Sequence, residues 1–246
     1  MARICCLLAA LTLLPVLPVL SWPDIITRIE RGAAASDEAA LRTTIADARA
    51  FADAAGLDRE RHIALLGSAY AANRLAGLQG VEPAESSALL QRAETDLREV
   101  IKADPKSAEA RVLLAAVYGS MIRFGGNAVE LGPGSQNLLS DALKLEPNNP
   151  RVHVQIGMNT YHTPAEYGGG LDKAEASFRQ ALALFEHEPA GRPWPNWGRF
   201  DAHVWLGQAL AARGDKAGAR AEYMAALQLW PQSGFVKYKL LPMLNK

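Results

Sequence analysis

A pattern of small, aromatic and proline residues recurs four times along the chain, and this repetition is the strongest constraint on its fold. The clearest copy lies between Phe200 and Ser233. Its marked positions are Leu206, Gly207, Leu210, Gly214, Ala219, Tyr223, Ala226 and Pro231. Three upstream copies end near Pro105, Pro147 and Pro189, so the closing prolines are 42 residues apart each time. A fixed period of this length indicates stacked copies of one supersecondary unit.

Each marked position has a physical role in a pair of packed helices. Small Gly207 and Ala219 allow the helices to approach closely, and Tyr223 fills the gap between them. Pro231 ends the second helix, because a proline ring without an N–H is incompatible with a helix interior. The order of these positions resembles the tetratricopeptide repeat (TPR), a helix-turn-helix unit of about 34 residues. The resemblance covers about residues 60–233 and implies an all-α, right-handed α-solenoid.

The upstream copies carry the same two-part pattern. Their first-helix pairs are Leu66–Gly67, Leu114–Ala115 and Ile156–Gly157, and their second-helix small residues are Ala93, Ser135 and Ala174. The predicted repeats are 60–107, 108–149, 150–199 and 200–233. Helices at 22–59 and 234–246 are expected to cap the two ends, since an open end of a repeat stack exposes core residues. Within the first cap, Ser36 or Asp37 is expected to begin a helix that reaches about Ala55.

The first three copies carry extra residues between their two helices, around 75–83, 123–134 and 162–170. The first insertion can lengthen both helices, because Glu85–Lys102 is one continuous amphipathic segment. The other two are rich in Gly and Pro and are predicted loops. All three occupy equivalent turns, so we expect them along one rim of the stack.

The first 21 residues have the pattern of a secretory signal peptide. Arg3 is the only charge before Asp24, and Ile4–Leu20 is almost entirely apolar. We expect cleavage after Ser21, and therefore a periplasmic or secreted protein with no stable membrane span. A retained anchor is the alternative, although two prolines interrupt a run that is already short for a bilayer.

Charge and motif content argue against several functions. Lys plus Arg (26) balances Asp plus Glu (26), so no general attraction to nucleic acid or an anionic membrane is expected. Both cysteines, Cys5 and Cys6, lie in the signal segment, which excludes disulfides, thiol catalysis and cysteine-bound zinc from the mature chain. The five histidines form no helical zinc motif, and no nucleophile motif is present. We therefore expect no metal, no cofactor and no enzymatic activity.

The candidate binding residues come from the third repeat and the aromatic loops beside it. The resemblance to TPR proteins implies a concave surface lined by the first helix of each repeat, where most positions are small and leave room for a partner's helix or for the protein's own N-terminal helix. Exposed aromatic residues on a rigid scaffold are common anchors for partners. The candidates are Arg151, Val154, Met158, Tyr161, His162, Tyr167, Trp194 and Trp197.

Two roles are open for Trp194 and Trp197. They can bind a partner, or they can fold back and fill the gap between the third and fourth repeats, because a Trp side chain buries a large area. The Lys/Asn set with which chaperone-binding TPR proteins hold a C-terminal carboxylate is not matched at the inner positions.

These observations predict a non-catalytic scaffold that holds a protein or peptide segment in its groove, with self-association left open. The alternative is a periplasmic small-ligand-binding accessory of an uptake system. That function would need an enclosed pocket lined by Trp194, Trp197 and Tyr167.

Overall fold

The computed structural model describes residues 22–55, 58–188 and 197–245, and this part of the chain is a stack of helical hairpins without β-strands. The predicted signal segment, residues 1–21, lies outside the described residues. The helices are α1 (Trp22–Ala35), α2 (Glu38–Ala54), α3 (Asp58–Ala76), α4 (Pro83–Ala103), α5 (Ala108–Arg123), α6 (Ala128–Leu145), α7 (Pro150–His162), α8 (Leu171–Glu186), α9 (Arg199–Ala212) and α10 (Lys216–Leu229). The predicted all-α solenoid is confirmed.

Short polar side chains begin many of the helices. Asp37 accepts a hydrogen bond from the backbone N–H of Ala40 at 2.9 Å, and α2 ends at Ala54. Asn149 caps α7 in the same way, through the N–H of Arg151 at 2.9 Å. Each cap supplies an acceptor for an N–H that has no partner within the helix.

The repeated glycines are required by the aromatic residues opposite them. A Cβ atom at Gly157 would lie 2.5 Å from the ring of Phe178, and one at Gly207 would lie 2.4 Å from the ring of Tyr223. Both rings are fully or almost fully buried between the two helices of their hairpin. The small-plus-aromatic pattern therefore sets the distance between paired helices.

The first helices of the hairpins form the inner side of the stack. α3, α5, α7 and α9 contact one another in order, whereas successive second helices (α4, α6, α8 and α10) make no comparable contact within the described residues. Helices that touch must lie closer together than helices that do not, so the stack curves with its first helices inside. We call α1, α3, α5, α7 and α9 the inner layer, and the second helices the outer layer.

The insertions differ from one another in structure. α3 and α4 have 19 and 21 residues, so the first insertion does lengthen both helices. The loop predicted over 123–134 is wrong in most of its length, because α6 already begins at Ala128 and continues through Pro133. Pro133 has no N–H to donate to the carbonyl of Val129. Val129 is 86% exposed, so water can bond to that carbonyl instead.

The third insertion is a compact turn, as its composition predicts. It contains a 3₁₀ turn at Ala165–Tyr167 and the Gly168–Gly170 run. Gly168 and Gly170 have φ angles of +87° and +110°, and a Cβ at Gly169 would collide with the carbonyl of Thr163. The three glycines thus serve the tight turn between α7 and α8.

Both ends of the described stack are closed by helices. α1 and α2 form a hairpin like the others, and α1 packs against α2 and α3 in the inner layer. At the other end a π-helical segment, Phe235–Leu240, continues into a short α-helical turn, Leu241–Met243. The buried residues Val236 and Leu240, and Leu244 directly after the short turn, belong to the core of the last repeat. No helix among the described residues is both long and apolar enough to cross a bilayer.

Candidate functional site

The inner faces of α5, α7 and α9 divide into two halves with opposite accessibility. The half nearer the helix N-termini, here called the covered half, consists of the buried residues Glu109, Val112, Arg151, Val154, Asp201 and Val204. The half nearer the C-termini, called the open half, consists of the exposed or half-buried residues Ala116, Gly119, Ser120, Arg123, Met158, Tyr161, His162, Trp205, Gln208 and Ala212. A partner can reach the open half directly, whereas the protein itself occupies the covered half.

Trp197 is the central residue that covers the inner face. It is 4% exposed and belongs to the main hydrophobic core. Its ring centroid lies 5.0 Å from that of Tyr70, and its indole N–H donates a hydrogen bond to the carboxylate of Glu109. For Trp197 the structure therefore favours the packing role over the binding role. Trp194 lies outside the described residues.

An ion pair joins the first and last repeats beside this Trp. The Arg74 guanidinium of α3 donates to both carboxylate oxygens of Asp201 in α9, at 3.0 and 3.1 Å. Both side chains are largely buried, at 21% and 9% exposure. A largely buried ion pair is stable only when its two groups keep good geometry. This pair therefore holds the start of α9 against α3.

Two predicted groove residues, Arg151 and Val154, are not accessible, and this corrects their assignment as binding residues. Arg151 is 0% exposed and donates to both oxygens of Glu188, at 2.6 and 3.0 Å. Its guanidinium also lies over the ring of Phe185, 5.3 Å from the centroid. A Cβ at Gly198 would be 3.5 Å from Arg151 and 3.9 Å from Val154. The chain entering α9 therefore lies directly over both residues.

Three aromatic rings from two helices meet in the open half. The ring centroids of Tyr161 and His162 lie 5.2 Å apart, and those of Tyr161 and Trp205 lie 5.3 Å apart. His162 and Trp205 are separated by 5.2 Å, and all three pairs have the edge-to-face geometry that aromatic quadrupoles prefer. Tyr161, His162 and Trp205, here called the aromatic trio, thus form a preorganised surface at the junction of α7 and α9.

Arg123, at the end of α5, adds a positive charge to this surface. Its guanidinium lies 4.9 Å from the ring centroid of Phe124. Partial burial of the His162 ring and, secondarily, the charge of Arg123 lower the pKa of His162 below its ordinary value of 6.5. At neutral pH His162 is therefore a neutral imidazole, and the residue is exposed.

Met158 and Tyr167, the other predicted binding residues among those described, lie in separate parts of the surface. Met158 is half-buried and, like Tyr161, packs against the core of the last repeats. Burial, with a smaller contribution from Tyr161, raises the pKa of the Tyr223 hydroxyl in that core to about 12. Tyr167 is 73% exposed and lines a separate shallow cleft of about 420 Å³ with Gln136, Thr160 and Lys173. The structure therefore places Met158 and Tyr161 together but leaves Tyr167 apart.

Sequence reasoning missed Trp205 and Arg123. It sought aromatic anchors in loops, whereas Trp205 lies inside α9. Its position, one residue after Val204, corresponds to Gln155 in α7, a buried position. Because the burial of that position is known only from the structure, the sequence alone does not mark Trp205 as part of the site.

Two histidines at packing positions have hydrogen-bond partners. His203 contacts the carboxylate of Glu222 at 2.7 Å, and the ring of His153 contacts the carbonyl of Pro147 at 2.8 Å. Within the described ranges, no group of three or more His, Cys, Asp and Glu side chains is placed to hold a metal ion.

Comparison with known proteins identifies the fold. No protein-family model and no curated protein sequence matches the chain significantly. Among solved structures, the HusA haemophore from Porphyromonas gingivalis is 22% identical, with a TM-score of 0.64 over 79% of this chain and 94% of that one. TTC0263, a TPR protein of Thermus thermophilus, is 20% identical, with a TM-score of 0.61 over 92% of this chain and 100% of that one. Both identities are below 25%, so the likeness establishes the fold alone, a TPR-type solenoid.

Proposed function

We propose that this TPR-type solenoid is a non-catalytic scaffold that binds a segment of a partner protein in the open half of its inner layer. The observation that carries the proposal is the aromatic trio, which is accessible from one side and held from the other by the core. Aromatic side chains in rigid, partly desolvated settings provide much of the binding energy at protein interfaces. Since the trio is held in place before binding, little side-chain freedom is lost on association.

The residues around the trio leave space for an inserted segment. Gly119 is exposed on α5, and a Cβ built there meets no atom within 4 Å. Ala116, Ser120 and Ala212 are also small. A helix or an extended strand can therefore lie along α5 and reach the rings on α7 and α9.

The proposed location is the periplasm or the medium outside the cell. The support is the signal-peptide pattern of residues 1–21 and the confinement of both cysteines to that segment. The partner would then be another exported protein. The balanced charge of the chain also favours a protein partner over nucleic acid.

A matched pair of substitutions tests the scaffold function. Gly119→Trp places a bulky side chain on the floor of the open half, whereas Asn137→Trp places it at an exposed position of α6 in the outer layer. Purified parent and variants would each be used to capture proteins from a cell-envelope extract. We expect one captured protein to be retained by the parent and Asn137→Trp and lost with Gly119→Trp. Equal capture by all three baits, or by none, would reject the proposal.

A second candidate function is the binding of a small ligand. HusA, which has the same fold, is described as a haemophore, and the aromatic trio offers planar surface beside a neutral imidazole. The predicted pocket, however, is not assembled by the described residues, because Trp197 is buried against Tyr70 and Tyr167 lines another cleft. Small-ligand sites usually enclose most of the ligand, whereas the open half is an extended surface, so we prefer the protein segment.

Absorption titration with haemin distinguishes this second candidate. A saturable one-to-one change in the haem spectrum that is lost in His162→Gln would favour a small-ligand carrier. An unchanged spectrum at micromolar protein would exclude haem binding and leave the scaffold function intact.

A further inference from the structure

We propose that the open half selects partner segments in which an acidic side chain lies next to an aromatic or large apolar one, with Arg123 binding the carboxylate and the aromatic trio binding its neighbour. This inference rests on the proposed function and names the chemistry of the occupant. It follows from charge, from hydrogen-bonding capacity and from the proximity of Arg123 to the trio.

On α5, α7 and α9 the acidic residues of the inner face all lie in the covered half, together with the ion-paired Arg151. The acidic residues Glu109 and Asp201 both lie in the covered half, where they bond to Trp197 and Arg74. Among the described residues of the open half, Arg123 is the sole one with a formal charge at neutral pH. The accessible surface is therefore positive, and a negatively charged segment complements it.

Arg123 has no carboxylate partner in the described part of the chain, in contrast to Arg98 and Arg179 on the outer layer. Arg98 pairs with Glu94 at 2.8 Å, and Arg179 pairs with Glu175 at 2.8 Å, each within one helix. Arg123 instead lies against the ring of Phe124. It also lies close to Gly77, because a Cβ atom built on that glycine would be 3.1 Å from a terminal nitrogen of Arg123. Its guanidinium is thus held near the groove by packing while its capacity for a carboxylate remains unused.

The polar atoms of the trio also favour an acceptor-rich ligand. Within residues 22–55, 58–188 and 197–245, no hydrogen bond joins the Tyr161 hydroxyl, the Trp205 indole N–H or the His162 ring to another group. The hydroxyl and the indole N–H are donors, as are the five N–H groups of Arg123. A carboxylate supplies up to four acceptor positions and no donor, so it matches this set better than an amide or an ammonium group does.

Selection from a random peptide library tests the inference. Peptides would be displayed with both ends fused to phage coat protein, so that no free C-terminal carboxylate is present, and the full chain would be the target. We expect enriched peptides to carry Asp or Glu within about one helical turn of Trp, Phe, Tyr or Leu. Enriched peptides without this pair would overturn the inference while supporting the scaffold function. Failure to enrich any peptide would count against both.

A charge reversal makes the test specific for Arg123. When the Arg123→Glu variant is the selection target, the enriched peptides should carry Lys or Arg in place of the acidic residue. When the control variant Arg179→Gln is the target, which removes a surface charge from the outer layer, the enriched set should match that of the parent. An acidic preference that persists on Arg123→Glu would overturn the inference.

Affinity measurements complete the test. Loss of one charge-assisted hydrogen-bonded contact corresponds to about a tenfold or larger rise in Kd, which we expect for the best acidic peptide on Arg123→Gln. Arg123→Lys should recover part of the affinity, because it keeps the charge without the planar fork. Circular dichroism of each variant verifies that the helical fold is kept. A Kd within twofold of the parent for a folded Arg123→Gln would contradict the assignment.

Discussion

The covered and open halves of the inner layer are the two ends of the same inner faces of α5, α7 and α9, yet they have opposite properties. In α7 the covered half contributes Arg151, which is fully buried and ion-paired, and the open half contributes His162, which is exposed and without such a pair in the described chain. The difference is caused by the segment that enters α9, where Trp197 and Gly198 lie on the N-terminal parts of α5 and α7. The repeat pattern thus determines which helices face inward, and a single connection determines which part of that surface a partner can reach.

The largest effect is expected from removing the Trp that covers the inner face. Trp197→Ala deletes a buried ring and leaves Glu109 without its indole donor, so the free energy of unfolding should fall by about 3–5 kcal/mol. Urea unfolding followed by circular dichroism measures this loss. Trp205→Ala, at the half-buried ring of the open half, should cost less. Comparable losses for the two variants would mean that the halves do not differ in their contribution to stability.

The second effect concerns the buried charge of Arg151. Arg151→Ala leaves the Glu188 carboxylate without its bidentate partner and should destabilise the protein by about 3 kcal/mol. The matched control is Arg179→Ala in the exposed pair with Glu175, where a change below about 0.5 kcal/mol is expected. Chemical denaturation of both variants tests the contrast. A loss below about 1 kcal/mol for Arg151→Ala would show that this residue is more hydrated than the structure indicates.

A smaller effect is expected from pH at the open half. Because the folded state lowers the pKa of His162, the unfolded chain binds more protons when the pH falls below about 6.5, and this residue then reduces stability. His162→Gln should therefore lose less stability than the parent between about pH 7.5 and pH 5.5. Urea midpoints at both pH values provide the comparison. Parallel pH profiles for the two proteins would contradict the lowered pKa.

The smallest effect distinguishes open glycines from packed ones. Gly119→Ala should stabilise the protein by about 0.5–1 kcal/mol, since its Cβ meets no packed neighbour and Ala is favoured over Gly inside a helix. Gly157→Ala should destabilise it, because its Cβ would overlap the ring of Phe178. Thermal midpoints are sensitive enough to show the signs. Destabilisation by Gly119→Ala would mean that the floor of the open half is already occupied.

Local patterns in the sequence predict the helices and their pairing but not the accessibility of the inner surface. Gly157 with Phe178 and Gly207 with Tyr223 are close in the chain, so their spacing reports directly on the packing of a hairpin. The contact of Trp197 with Glu109 joins residues 88 positions apart, and that of Arg74 with Asp201 joins residues 127 apart. Such contacts depend on the curvature of the whole stack, which no single repeat encodes. For this reason the repeat pattern alone predicts an accessible Arg151 and Val154.

The aromatic trio likewise combines residues that the sequence predicts with one that it does not. Tyr161 and His162 could be predicted as inner-layer residues from their place in the third repeat. Trp205 became part of the site because α9 packs beside α7, a contact that the sequence pattern of one repeat does not show. The composition of a binding surface in a repeat protein therefore depends on the junctions between repeats as much as on the repeats themselves.

Site-specific photo-cross-linking tests the central claim that the open half is the binding surface. A benzophenone amino acid would replace Gly119 in the open half or Asn137 in the outer layer, and each variant would be irradiated in cells that produce it at normal levels. Both positions are exposed. We predict a discrete cross-linked adduct with a second protein from position 119 and none from position 137. An adduct from position 137 alone would place the partner on the outer layer and contradict the account.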